Sequence, residues 1–159
     1  MILVTSAYAP DSGIFSYYRY APIVLYNIRY TTVAQWIAAE LCRNFGAEQA
    51  LETVMSNATR YTLAAITDTI PGYDPEYWQA ICRDIAMVGT RAKYTQHASL
   101  QSALVATGTE PVVYACVDLL WGTGLMEFDS RIQNPQEWPG LHLFGSVLQQ
   151  IRMELTANG

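Results

Sequence analysis

Lysine is almost missing from this chain: Lys93 is the only one in 159 residues, and the remaining basic side chains are arginines. Charged residues of either sign are scarce as well, at 14% of the chain against the usual quarter. With a formal net charge of -5 and a sequence pI near 4.9, the protein lacks the clustered cations that nonspecific binding to nucleic-acid phosphates requires. A specific pocket for a small-molecule nucleotide is not excluded by that balance. The three cysteines, Cys42, Cys82 and Cys116, are odd in number, far apart and flanked by apolar residues. They form neither a C-x-x-C metal motif nor a disulfide framework, and fit reduced core thiols in a cytoplasmic protein. No window approaches eighteen apolar residues and no basic segment precedes an apolar stretch at the start, so neither a membrane span nor a secretory leader is expected.

What is present suits one folded unit over 1-159. Apolar residues reach 51%, enough at this length to bury a single core, and there is no internal repeat or low-complexity tract. Ile2 to Thr5 has the composition of a short strand followed by a Pro-Asp-Ser-Gly turn, and Pro22 to Leu25 can pair with Ile28 to Tyr30 across Tyr26-Asn27. A hydroxyl cap at Thr31 or Thr32 opens a helix with Val33, Trp36, Ile37 and Leu41 on one face, ending near Phe45-Gly46. A second helix from Ala47 buries Leu51, Val54 and Met55. Asp74-Pro75-Glu76 starts a third, carried by Trp78, Ile81, Cys82 and Ile85 toward Lys93. Another runs from about His97 through Leu100 and Leu104 to Thr107-Gly108. Pro111 to Cys116 is a short strand, Trp121 to Pro139 a long loop, and Leu143, Val147, Leu148, Ile151 and Leu155 mark the last helix. The expected class is α+β, mostly helical, with a few short strands.

Two places concentrate chemistry. The run Arg91-Ala92-Lys93-Tyr94-Thr95-Gln96-His97 holds the lone amine between an arginine and an imidazole. A lysine whose pKa is lowered by such neighbours can attack a sugar carbon, while an ordinary surface lysine does nothing. The long loop gathers Asp118, Trp121, Gly122, Gly124, Asp129 and Trp138-Pro139-Gly140. Indoles stack on heterocycles, carboxylates accept from sugar hydroxyls, and glycines let backbone approach, which suits a base-and-ribose pocket. The same tryptophans equally suit a hydrophobic plug under the loop.

Asp118-Leu119-Leu120-Trp121-Gly122-Thr123-Gly124-Leu125 and Trp138-Pro139-Gly140-Leu141-His142-Leu143-Phe144-Gly145 resemble the D-x-x-W-G-x-G-L and W-x-G-x-N-x-L-G signatures of the NADAR family, the YbiA-like N-glycosidases. Gly13-Ile14-Phe15-Ser16, Tyr30-Thr31-Thr32-Val33-Ala34-Gln35-Trp36, the spacing of Trp78 to Lys93 and the Arg91 to His97 run, similar to an A-K-F-x-Q segment, agree in order across almost the whole chain. The resemblance implies cleavage of N-glycosidic bonds in ribosylated bases or ADP-ribosyl adducts, without metal or cofactor. It points to Lys93, Asp118 and His142 as catalytic candidates. Phe15, Ser16, Gln35, Trp78, Trp121, Gly122, Gly124, Trp138 and Gly140 are the corresponding ligand-binding candidates.

The chain also departs from that pattern. Where the family's first helix carries a glutamate regarded as catalytic, this sequence has Ala34, and the later lysine is Leu41; neither replacement transfers protons. The asparagine after F-S is Tyr17, and that of W-x-G-x-N is His142. Glu40 lies six residues past Ala34, about 240° around the helix, and faces elsewhere. Two readings follow: a divergent N-glycosidase using Lys93, Asp118 and His142, or a degenerate relative that keeps the pocket as a nucleotide-binding or protein-interaction module.

Overall fold

Helix α1, Val33–Asn44, is the axis of the molecule: seven consecutive residues, Val33 to Ala39, are buried, with only Gln35 among them polar. Thr32 caps it in an extended conformation, its hydroxyl accepting from the Gln35 backbone N–H at 3.0 Å. The computed structural model describes residues 1–157. Around α1 pack α2 (Glu48–Ser56), a short α3 (Arg60–Ala64) and the 22-residue α4 (Pro75–Gln96). Asp74 starts α4 by accepting from the Glu76 and Tyr77 N–H groups, with Pro75 at the first helical position where its missing N–H costs nothing. Gly89 on α4 lets the helices close on one another. A Cβ there would sit 2.3 Å from the Trp36 ring, and the Trp36 indole N–H donates to the Ile85 carbonyl at 2.8 Å.

Helix α5 (Ala98–Ala106) and the last helix α6 (Leu143–Ala157) complete the helical part. The buried Arg152 of α6 ties down the end of α5, donating to Thr107 Oγ1 and the Glu110 carbonyl, both at 2.7 Å. Two small sheets stand apart. β1 (Ile2–Val4) pairs in parallel with β4 (Val112–Tyr114), Leu3 opposite Val113. β2 (Ile23–Leu25) pairs antiparallel with β3 (Ile28–Tyr30), joined by Tyr26 and Asn27 at φ 52° and 64°. Two successive left-handed residues match the right-handed twist of a tight hairpin. The architecture is the expected α+β single domain of mostly helices, and the strands and the five longer helices follow one another in the expected order.

Differences from expectation are local. Of the two threonines expected to cap α1, Thr32 is the one that does, and α4 runs past Lys93 to Gln96. The stretch after Ser56 holds an unanticipated helix, α3, whose start Thr59 marks by accepting from the Thr62 N–H. The long loop is not featureless: 3₁₀ turns occupy Ser130–Gln133 and Pro135–Glu137, and Leu125 and Ile132 pack with Val113 and Ala115 into a second small core. Among the described residues no helix is long and apolar enough to cross a membrane.

Candidate functional site

One face of α1 forms the wall of a cleft of about 360 Å³. Ala34, Ile37, Ala38 and Leu41 recur at helical spacing and line it; the opposite side is the Asp118–Trp121 turn, and Trp78, Tyr73, Tyr17 and Tyr18 contribute aromatic surface. α3 and the 3₁₀ turn after it supply Leu63 and Ile66. The positions where the family resemblance calls for a glutamate and a lysine do line this cleft. They present a methyl group and an isobutyl group instead. Glu40 points away from it and pairs with Arg43 at 2.6 Å.

Asp118 holds the turn in shape: its Oδ1 accepts from the Leu120 and Trp121 N–H groups at 2.8 and 2.7 Å. That aims Trp121 inward, where it lies 6.2 Å from the Tyr17 ring. Tyr17 stacks on Tyr114 at 5.2 Å and meets Phe144 edge-on at 4.7 Å. Burial, with smaller contributions from neighbouring Tyr114 and Tyr18, raises the Tyr17 hydroxyl well above its ordinary value. Its phenol is therefore neutral at physiological pH and supplies no base.

Lys93 is not among the residues lining the cleft. It is 1% exposed, and its ammonium donates to the Ile14 carbonyl at 2.7 Å and the Ser16 carbonyl at 3.0 Å, pinning the 3₁₀ turn Gly13–Phe15 against α4. Burial, helped by the Arg19 charge, lowers its pKa to about 7. The rest of its sequence run is similarly engaged. Arg91 bridges Glu154 on α6 at 3.0 Å. Gln96 both donates to and accepts from Val24 at 2.9 Å, as a third strand would, and His97 Nε2 lies 2.7 Å from the Pro22 carbonyl. Basic chemistry concentrated in sequence is thus distributed along one helix that clamps the hairpin, the N-terminal turn and α6.

His142 also lies outside the cleft lining. Its Nε2 accepts from the Tyr114 N–H at 3.0 Å, its ring meets Trp138 at 4.7 Å, and burial lowers its pKa to about 4. An imidazole kept neutral with that lone pair occupied closes the long loop onto β4. Lys93, Asp118 and His142 therefore do not converge on one cavity. Gln35 accepts from the Thr31 N–H and hydroxyl through Oε1 and donates to the Val54 carbonyl through Nε2. Ser16 shares a hydrogen bond with the Tyr114 hydroxyl at 3.1 Å, and Phe15 is buried on the other side of the N-terminal turn.

The three loop glycines serve close backbone packing. A Cβ on Gly140 would fall 2.4 Å from the Gly122 carbonyl oxygen, one on Gly122 2.3 Å from Cys116 Sγ, and Gly124 has φ 77°. Trp138 donates to the Ile132 carbonyl at 3.1 Å. Of the candidate residues, the structure brings Trp78, Trp121 and Asp118 together around the cleft. Tyr18, Tyr73 and the α3 wall were missed by sequence reasoning, because no motif marks them; Tyr17 was marked only as a departure from the family's asparagine, and only the Thr59 cap signals that α3 exists. Among the described residues no group of three His, Cys, Asp or Glu side chains is arranged to hold a metal ion.

Comparison with known proteins places this geometry in a family. The chain is 28% identical over 126 residues to an N-glycosidase of Acanthamoeba polyphaga mimivirus, a match covering 79% of this chain and 74% of that protein. It is 30% identical over 79 residues to the protein irg-1 of Caenorhabditis elegans, covering 49% of this chain and 37% of the relative. Its backbone superposes on the NMR structure of the E. coli protein YbiA with a TM-score of 0.75 at 21% identity, over 99% of this chain and 86% of that one, so the fold is shared. Residues 7–156 match the NADAR domain model, and the chain belongs to the NADAR family.

Proposed function

We propose that this NADAR domain binds a ribosylated planar base in the cleft between α1 and the Asp118–Trp121 turn, and does not cleave its N-glycosidic bond. The observation that carries the reading is the α1 wall. Hydrolysis of an N-glycosidic bond builds positive charge at C1′ and needs a carboxylate or nucleophile beside that carbon, with an acid for the departing base. Ala34, Ile37, Ala38 and Leu41 offer neither. Lys93, the chain's sole amine nucleophile other than the terminus, is engaged by two carbonyls away from the lining. The cleft nevertheless has a volume of about 360 Å³, two tryptophans in its lining and the Asp118 carboxylate at its rim, which suits binding of a ligand without its chemistry.

The relative named an N-glycosidase supports an N-glycosidic ligand for this pocket. One feature favours slow turnover as a second reading: Asp118 accepts its two backbone hydrogen bonds through Oδ1, leaving Oδ2 to meet a sugar. Incubation with ADP-ribosylated guanosine and with a ribosylaminopyrimidine phosphate distinguishes the two. Binding without turnover raises the melting temperature with ligand concentration while chromatography detects no released base. Base release above the buffer control that disappears in Asp118→Asn would refute the noncatalytic reading in favour of the second. Absence of any thermal shift or tryptophan quenching would refute both.

A further inference from the structure

The cleft has one charged side chain in its lining, the Asp118 carboxylate, and no cation. Five aromatic rings share that lining: Trp78, Trp121, Tyr17, Tyr18 and Tyr73. An aromatic face carries a negative quadrupole, most strongly for indole, and attracts a cation within about 6 Å of the ring centre. Elsewhere in the fold that attraction is already in use: Arg43 lies over Tyr30, Arg60 over Tyr18 and Lys93 over Tyr94. Among the described residues no arginine or lysine covers the rings of Trp78, Trp121, Tyr17 or Tyr73. Four of the five cleft rings therefore have no cation of the protein's own.

The charges that act across the cleft have the same sign as those faces. Burial is the main cause of the raised Tyr17 and Tyr73 hydroxyl and Cys82 thiol pKa values, and the Asp118 charge adds to all three. Cys82 lies one turn past Trp78 on α4, so the carboxylate is felt from its own turn to the opposite helix. Asp74 acts on Tyr73 in the same direction, and Asp84 on Cys82. At Tyr18 the Arg60 charge opposes that of Asp118, but Arg60 is not part of the lining.

The walls offer little else to recognise a base by. Ala34, Ile37, Ala38 and Leu41, with Leu63 and Ile66 opposite, carry no side-chain donor or acceptor for its edge, and a buried edge left unpaired costs affinity. Recognition falls to ring faces and to charge. Resting on the cleft reading above, we propose that the cleft selects a planar heterocyclic cation, a riboside whose purine ring is alkylated on a ring nitrogen, over its neutral counterpart. Alkylation removes one edge acceptor, which these apolar walls do not miss, and spreads a positive charge over the ring, where it meets the aromatic faces and the Asp118 carboxylate. A charge delocalised over a flat ring also fits between indoles as a compact ammonium does not.

Isomeric pairs of methylated nucleosides test the assignment, because their members have the same atoms and differ in charge. At pH 6 the rings of 1-methyladenosine and 7-methylguanosine are cationic, and those of N6-methyladenosine and N2-methylguanosine are neutral. In titration calorimetry wild type should bind the cationic member of each pair at least about 10-fold more tightly. Asp118→Asn and Tyr73→Leu should each lower that ratio by about threefold, and Tyr73→Phe, which keeps the ring, should preserve it. The ratio is taken within each variant, so a general loss of affinity cancels. Equal affinities within both pairs, or tighter binding of the neutral members, would overturn the selection and leave the cleft reading standing. A ratio that is unchanged in both Asp118→Asn and Tyr73→Leu would place the cation outside the cleft and overturn the proposal. No binding by any of the four nucleosides would remove the proposal and the cleft reading together.

Discussion

Replacing Lys93 by methionine should make stability less dependent on alkaline pH, and the size of the change follows from the burial of one amine. In the fold Lys93 has a pKa near 7 instead of its ordinary 10.5, because burial, and secondarily Arg19, disfavour its charge. Between those two values the unfolded chain carries the proton and the folded chain does not, so stability rises with pH. The gain is about 1.4 kcal/mol per pH unit within that window and about 5 kcal/mol if the whole window could be traversed. Below pH 7 the amine is protonated in both states and contributes no slope.

Other groups titrate in the same range with the opposite sign. Burial raises the thiols of Cys42, Cys82 and Cys116 to about 11, so the stability they contribute is lost as pH climbs from 9 through 11. The measurement is therefore a difference: urea unfolding of wild type and Lys93→Met at half-unit steps from pH 6 to 9. Methionine fills similar volume without a charge but leaves the Ile14 and Ser16 carbonyls unpartnered, at about 1–3 kcal/mol each. Wild type minus variant should be flat to pH 7 and then grow by about 1.4 kcal/mol per unit. A difference that stays constant to pH 9 would refute the account of a buried amine that deprotonates in the fold.

At acid pH the corresponding group is His142: with its pKa lowered from 6.5 to about 4 by burial, the unfolded chain binds the extra proton between those values. Stability should fall as pH drops through this window, and His142→Leu should show a shallower acid slope in the same urea titrations. Gly89→Ala pits a helix-propensity gain of about 1 kcal/mol against a Cβ 2.3 Å from Trp36; overpacking of about 1–3 kcal/mol should win, and a raised melting temperature would refute this. Asp118→Ala removes the acceptor of the Leu120 and Trp121 N–H groups and should cost about 1 kcal/mol and weaken nucleoside binding through a displaced Trp121. Asp118→Asn, which keeps an acceptor, should retain the fold; equal loss in both variants would mean that the turn does not depend on that hydrogen bond.

The sequence by itself determined the strands and the longer helices and their order, though not the short α3 or the 3₁₀ turns. Asp74-Pro75, Thr32 and the residues around Tyr26-Asn27 set helix starts and a hairpin through contacts a few residues apart, and apolar spacing of 3.6 marks the buried faces of α1 and α4. Such signals are local, so they are written in consecutive residues. Tertiary structure alone decided what the polar residues do. Lys93 and His142 look alike in sequence as reactive groups, yet their partners are carbonyls and an N–H tens of residues away, at Ile14, Ser16 and Tyr114. The cleft is likewise assembled from Tyr17, α1, α3, Trp78 and Asp118, segments joined only by packing. Ala34 and Leu41 mark the boundary between the two kinds of information: the sequence shows that they cannot transfer protons, and the fold shows that they face the cleft.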